Sequence, residues 1–131
     1  MKVLALDYGS ARTGVAVSDP TGTIAKPLGV VERAGSPAGL SRLTELVQRE
    51  RPDRIVVGLP VTLRGAQGEQ ARETDAFVEA LRAAVGVPVE QFDERFTTAL
   101  AAQTGGRADE DSRAAAHLLT GYLEWARDRA T

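Results

Sequence analysis

Three acidic segments, widely separated along the chain, could supply carboxylates to one metal site. Asp7 ends the first apolar run, Asp93 and Glu94 end a later one, and Asp111 closes a run of acids before the last helical stretch. Carboxylate oxygens are the ligands that hard cations such as Mg²⁺ and Mn²⁺ prefer. The chain has no cysteine and one histidine, which excludes thiolate nucleophiles and zinc sites of the His/Cys type. The residue types therefore favour carboxylate-held Mg²⁺ or Mn²⁺.

Each acidic segment also has a purely structural explanation. Asp7 could cap the glycine turn that follows it, and the acids at 109–111 are typical of a helix start. Asp93 and Glu94 would favour the positive end of a helix capped by Thr97 or its neighbour. Adjacent residues of a strand point to opposite sides, so only one of Asp93 and Glu94 can face the side of Asp7. The sequence alone leaves open which one does.

The hydrophobic pattern predicts the elements that position these acids. Five strands are expected, at Val3–Asp7, Gly14–Ser18, Ile24–Val31, Ile55–Leu59 and Val89–Asp93. Helices are expected from Ser36 to a stop at Pro52, from Gly65 to Ala84, over the short stretch Thr97–Ala102, and from Ser112 onward. Three consecutive strands followed by βα crossovers predict an α/β fold, a five-stranded mixed sheet in the order βββ-α-β-α-β-α with helices on both faces.

The same topology places the acids at one edge of the sheet. Right-handed crossovers make the first, fourth and fifth strands parallel. Ligands bind outside the carboxyl ends of such strands. Asp7 and the pair Asp93 and Glu94 stand at two of those three ends. The loop after the fourth strand, which contains Arg64, is expected to shape access to this edge.

Composition limits the class of protein. The length of 131 residues and a hydrophobic content of 43% fit one domain, residues 1–131. No apolar run approaches the ~20 residues of a membrane span, and Asp7 comes too early for a signal peptide, so a cytoplasmic protein without membrane contact is expected. A net charge of −2 opposes strong duplex binding, which depends on Lys and Arg at phosphates. A bound metal would reverse the sign of an acidic site.

Four blocks in a fixed order carry a family resemblance that covers nearly the whole chain. They are Asp7-x-Gly9-x-x-Arg12-x-Gly14, then Val57-Gly58-Leu59-Pro60 with Gly65, then Asp93-Glu94-Arg95-x-Thr97-Thr98, and Asp111-x-x-Ala114-Ala115 with Tyr122-Leu123. In these blocks the sequence resembles the YqgF/RuvX family of pre-16S ribosomal RNA nucleases, also described as Holliday junction resolvases. The resemblance implies a ribonuclease H-like fold and a nuclease that hydrolyses phosphodiester bonds.

The resemblance also implies roles for the acids. Asp7, Glu94 and Asp111 would form the catalytic metal-binding cluster, with Asp93 as the alternative to Glu94. Two metal ions in such a cluster could activate water and stabilise the leaving oxygen. Members of the family carry a basic residue just before the last acid, whereas this chain has acids at 109 and 110. Either of these could substitute for Asp111.

Four further residues are predicted to contact substrate. Arg12 and Arg95 would hold or neutralise phosphate oxygens, as the resemblance implies. Arg64 and Thr97 complete the set of predicted substrate contacts. RNA is the favoured substrate on the resemblance, and pre-16S 5′-end processing the favoured role. A four-way DNA junction is the alternative, and its two-fold symmetry would require a homodimer with two coordinated active sites.

Two readings compete with the nuclease. Domains that resemble this family also occur as non-catalytic nucleic-acid-binding modules inside larger proteins. The opening Asp7-x-Gly9 also resembles the first phosphate loop of actin-like sugar kinases and chaperone ATPases. Those proteins bind nucleotide between two such domains, and a chain of 131 residues has room for one. Retention of every acid position favours catalysis over the non-catalytic module.

Overall fold

The computed structural model describes residues 1–59, 68–93 and 108–130. The strands are β1 (Val3–Asp7), β2 (Arg12–Ser18), β3 (Ala25–Glu32), β4 (Arg54–Leu59) and β5 (Val89–Asp93). The helices are α1 (Pro37–Glu50), α2 (Gly68–Ala84) and α3 (Ala108–Ala130). One sheet runs in the order β3-β2-β1-β4-β5. Its β1–β2 and β2–β3 pairs are antiparallel, while β1–β4 and β4–β5 are parallel, which confirms the predicted mixed sheet.

Helices cover both faces of the sheet, as predicted. Even-numbered residues of β1 pack against α1 and α2, and odd-numbered ones pack against α3, because side chains alternate along a strand. The first core includes Leu4, Leu6, Val57, Leu43 and Leu81. The second core includes Val3, Ala5, Val56, Leu119 and Tyr122. This alternation decides which side chains at the carboxyl edge face α3.

Several element boundaries differ from the prediction. Strand β2 begins at Arg12, which pairs with Glu32, rather than at Gly14. Strand β3 begins one residue later and ends one residue later than predicted, with a bulge between Gly29 and Pro27 in its pairing with β2. Proline cannot donate to a ladder and is confined to edges and bulges, which fits the position of β3 at the edge of the sheet.

The helix boundaries follow from their caps. Ser36 accepts a hydrogen bond from the backbone of Gly39, at 3.0 Å, and begins α1. Arg51 takes a left-handed conformation at φ 52° and donates to Val47, so α1 ends just before Pro52. Helix α3 begins at Ala108 instead of Ser112, because acids are favoured inside the first turn as well as before it.

Two predicted features fall outside the described residues. They are the short helix Thr97–Ala102 and the opening of the second helix at Gly65, whose described part begins at Gly68. Within the described ranges, no helix has the length and apolar character needed to cross a membrane.

Candidate functional site

The last residue of β1 places a carboxylate at the carboxyl edge of the sheet. Asp7 is an odd-numbered residue of β1, like Val3 and Ala5, which both pack in the second core, under α3. Because side chains alternate along a strand, Asp7 also lies on the α3 side of the sheet. In the antiparallel ladder Asp7 stands opposite Gly14 of β2. The element that packs over Gly14 is therefore the one that reaches Asp7.

That element is the beginning of α3. A Cβ on Gly14 would lie 1.9 Å from the carbonyl oxygen of Asp111 and 2.5 Å from its carbonyl carbon. Helix backbone thus touches strand backbone here, an approach that only glycine permits. The backbone of Asp111 thus contacts the residue that pairs with Asp7, although Asp7 and Asp111 are more than a hundred positions apart in the sequence. Gly14 belongs to a predicted motif, but the sequence did not reveal this packing role.

An arginine from the same face of β2 reaches the second carboxylate. Nε of Arg12 lies 2.8 Å from Oδ2 of Asp111, with 40% and 28% of the two side chains exposed. Oδ2 of Asp111 is buried and, apart from this ion pair, makes no hydrogen bond among the described residues. A buried carboxylate oxygen with lone pairs left over suits a hard cation. Asp7 and Asp111 therefore fit a divalent metal.

The turn between β1 and β2 is held from the other side by α2. One carboxylate oxygen of Glu73 accepts from Tyr8 Oη at 2.7 Å, and the other accepts from Ser10 Oγ at 3.1 Å. The ring of Tyr8 stacks on Phe77, with centroids 4.5 Å apart. Burial, together with the hydrogen bond to Glu73, raises the pKa of Tyr8, so the phenol keeps its proton and remains a donor. Sequence reasoning missed Glu73, since nothing local pairs it with residues 63 and 65 positions away.

An open cavity of about 510 Å³ lies beside this turn. Tyr8, Ser10, Arg33 and Glu73 are among the residues that line it. The backbone N–H of Arg33 donates to the carbonyl of Ala11 at 3.0 Å. Two distant segments therefore fix the residues that directly follow Asp7.

Strand β5 shows which of its positions face α3. Oε2 of Glu90 accepts from Tyr122 of α3 at 2.5 Å, and Phe92 packs in the α3 core. Gln91 instead donates to Asp75 of α2 at 3.0 Å. Even positions of β5 therefore face the side of Asp7, and odd positions face α2. Asp93 ends the strand at an odd position.

Four predicted site residues lie outside the described residues: Arg64, Glu94, Arg95 and Thr97. The acids at 109 and 110 fall in the first turn of α3, before Asp111. Within the described ranges, no group of three His, Cys, Asp or Glu residues is arranged to hold a metal. The structure thus brings together Asp7, Arg12 and Asp111 of the predicted set.

Comparison with known proteins agrees along nearly the whole chain. Residues 1–125 match the family described as RuvX: Holliday junction resolvase. A protein of Moorella thermoacetica, provisionally named pre-16S rRNA nuclease, is 41% identical over 133 aligned positions, covering 95% of each chain. A protein of Rubrobacter xylanophilus with the same provisional name is 44% identical, covering 94% of this chain and 92% of its own.

Solved structures confirm the fold class. Thermus thermophilus RuvC superposes with a TM-score of 0.65 at 22% identity, covering 98% of this chain and 97% of the other. The same protein in complex with a Holliday junction substrate gives a TM-score of 0.64 at 24% identity, covering 98% and 96%. The described chain has the predicted ribonuclease H-like fold.

Proposed function

Because this chain belongs to the RuvX family, we propose that it is a metal-dependent nuclease acting in 5′-end processing of pre-16S ribosomal RNA. The observation that carries the proposal is the close backbone contact between the start of α3 and Gly14. This contact holds Asp111 on the face of the sheet where Asp7 ends β1. Two carboxylates from distant segments at one sheet edge are what carboxylate-held metal chemistry on a phosphodiester requires.

Asp7, Glu94 and Asp111 are the proposed metal ligands, for two Mg²⁺ or Mn²⁺ ions. Bound there, the ions would supply activation of water and stabilisation of the leaving oxygen of the phosphodiester. The buried Oδ2 of Asp111, which makes no hydrogen bond beyond its ion pair with Arg12 among the described residues, supports this assignment. A ligand set made of carboxylates fits the hard cations Mg²⁺ and Mn²⁺.

The alternation along β5 favours Glu94 over Asp93 as the second acid. Glu90 and Phe92 meet α3, and residue 94 is the next even position in the sequence. Asp93 shares the parity of Gln91, which contacts α2. The comparison to make is Glu94→Gln beside Asp93→Asn, where the larger loss of cleavage identifies the ligand.

Arg12 is proposed to bind a phosphate oxygen of the substrate. Its guanidinium contacts Asp111, and a guanidinium can hold a carboxylate and a phosphate through different N–H groups. Arg12 would then orient the phosphate against the acids and neutralise its charge. Arg95, Thr97 and Arg64 are proposed as further substrate contacts on sequence grounds.

The test compares cleavage of labelled substrates by the wild type, Asp7→Asn and a matched control, Asp75→Asn. Asp75 is exposed on α2 and accepts from Gln91, a bond that the amide oxygen of asparagine can keep. The substrates are single-stranded RNA with a pre-16S 5′ leader, single-stranded DNA and a four-way junction, each with Mg²⁺, Mn²⁺ or chelator. RNA cleavage that needs metal, survives Asp75→Asn and disappears in Asp7→Asn is the expected result.

The family description favours one alternative, a Holliday junction resolvase acting on DNA. Symmetric cutting of the four-way junction, without cutting of the RNA, would establish it. That activity would also require a homodimer in solution. Equal cleavage by the wild type and Asp7→Asn would mean a contaminating nuclease and would contradict the proposal. No cleavage of any substrate by the wild type would make the chain a non-catalytic nucleic-acid-binding module.

A further inference from the structure

A groove of about 230 Å³ lies between α3 and the edge strand β3. It is lined by Pro27 of β3 and by four residues of α3, namely Arg113, Ala116, His117 and Thr120. We call it the α3–β3 groove. Arg113, His117 and Thr120 are exposed, so their polar groups are open to a ligand.

The described lining of the α3–β3 groove has an unusual chemistry for a chain of net charge −2. The surface of the groove itself is mostly apolar. The exposed Arg113, His117 and Thr120 bring a guanidinium, an imidazole and a hydroxyl to it, and none of the five lining residues carries a carboxylate. Within the described part of the chain, neither Arg113 nor His117 has an ion-pair partner. These side chains offer hydrogen-bond donors, and Arg113 adds a positive charge, the two properties that recognise phosphate oxygens.

The polar side chains of the α3–β3 groove form one stripe along α3. Arg113, His117 and Thr120 are spaced at i, i+4 and i+7, so they share one face of the helix. Asp111 precedes Arg113 by two residues, a rotation of ~200°, and therefore lies on the opposite side of α3. One helical turn beyond Thr120 stands the exposed carboxylate of Glu124, which bounds the donor surface. A strand whose cleaved phosphate lies at Asp111 would therefore have to cross the first turn of α3 before its further phosphates meet Arg113 and His117.

We propose that the α3–β3 groove binds backbone phosphates of the substrate strand. This inference rests on the proposed nuclease function and names the surface that holds the strand. Lys26 is not part of the groove, although it neighbours Pro27. It pairs with Val17 in the ladder, and Val17 faces the α1 and α2 core.

Binding of a short labelled single-stranded RNA tests the inference with chelator in place of Mg²⁺, so that no cleavage occurs. Arg113→Ala should weaken binding by roughly two- to fivefold, the range of an exposed charge pair. Arg113→Ala combined with His117→Ala should weaken it by roughly tenfold on the same basis. Each lost phosphate contact should lower the slope of log affinity against log salt by about 0.7.

Arg127→Ala is the matched control, since Arg127 is also exposed on α3 but lies 14 residues, or ~21 Å, further along the helix. It should leave affinity and salt slope nearly unchanged. His117 is the only histidine, so its imidazole NMR signals report on the groove without assignment, and they should shift when RNA is added.

The outcomes separate the two proposals. Equal losses of RNA affinity in Arg113→Ala and Arg127→Ala, or a His117 signal that does not shift on addition of RNA, would contradict the proposed role of the groove. No binding by the wild type overturns it as well, together with the choice of single-stranded RNA as substrate. If only Arg113→Ala loses RNA affinity and the wild type shows no metal-dependent cleavage, the proposed role of the groove stands and the proposed nuclease activity is wrong.

Discussion

Replacing Gly14 by alanine tests whether the backbone contact between α3 and β2 sets the distance between Asp7 and Asp111. The added Cβ would lie 1.9 Å from the backbone oxygen of Asp111, so the helix or the strand must move by at least 1.1 Å to reach the 3.0 Å limit of real contacts. The obstacle is backbone, so no side-chain rotation relieves it. Overpacking of this kind costs ~1–3 kcal/mol of stability.

The expected loss of activity is larger than the loss of stability suggests. A misplacement of about 1 Å at reacting groups costs ~10²-fold in rate, so cleavage by Gly14→Ala should fall by about that factor while the protein remains folded. The assay measures cleavage at saturating substrate, and urea unfolding of the same variant gives its free energy of unfolding and its m-value.

Gly86→Ala is the control for this substitution. Gly86 lies between α2 and β5, and a Cβ there meets no atom within 4 Å. Its cleavage rate and stability should match those of the wild type. Cleavage by Gly14→Ala at the wild-type rate, with both variants folded, would refute the argument that this backbone contact positions Asp111 against Asp7.

Two further predictions concern the residues that hold the turns. Glu73→Gln leaves one amide oxygen to accept from the two hydroxyls of Tyr8 and Ser10. The kcat for cleavage should therefore fall by roughly threefold to tenfold, with little change in KM. Adding Tyr8→Phe should lower kcat no further, because both changes break the same hydrogen-bond network. Asp19 accepts from Thr23 and Ile24 backbone N–H groups and from Thr21, which holds the pKa of its carboxyl well below the usual 3.8. The stability advantage of the wild type over Asp19→Ala in thermal unfolding should thus be complete above pH ~5 and shrink as the pH falls below 3.8 toward the depressed pKa; an advantage that is constant from pH 7 to pH 2 would contradict this.

The sequence predicted the sheet well because its signals are local. Val3–Asp7 is an apolar run closed by a carboxylate, and Ser36 with Pro37 is a helix start that needs no tertiary contact. The parallel arrangement of β1, β4 and β5 then followed from the handedness of crossovers. The placement of Asp7 at the carboxyl edge required nothing more.

The contacts that complete the site could not be predicted in the same way. The packing of Asp111 on Gly14 and the bonds of Glu73 to Tyr8 and Ser10 join segments that no periodicity relates. The choice between Asp93 and Glu94 was open because it depends on the parity of β5. The contacts of Glu90 with α3 and of Gln91 with α2 set which positions of β5 face each side of the sheet, and both contacts are tertiary.

Helix α3 carries both a proposed catalytic acid and the proposed strand-binding groove, and this makes the two proposals separable by one variant. A shift of α3 away from Gly14 changes the position of Asp111 relative to Asp7, which is on another element. The same shift leaves Arg113 and His117 at their fixed spacing on the helix. Gly14→Ala should therefore lose cleavage while keeping most of its RNA affinity in chelator. Parallel loss of affinity and cleavage would instead mean that RNA binding depends on the position of α3 relative to Pro27 of β3, and not on the side chains of α3 alone.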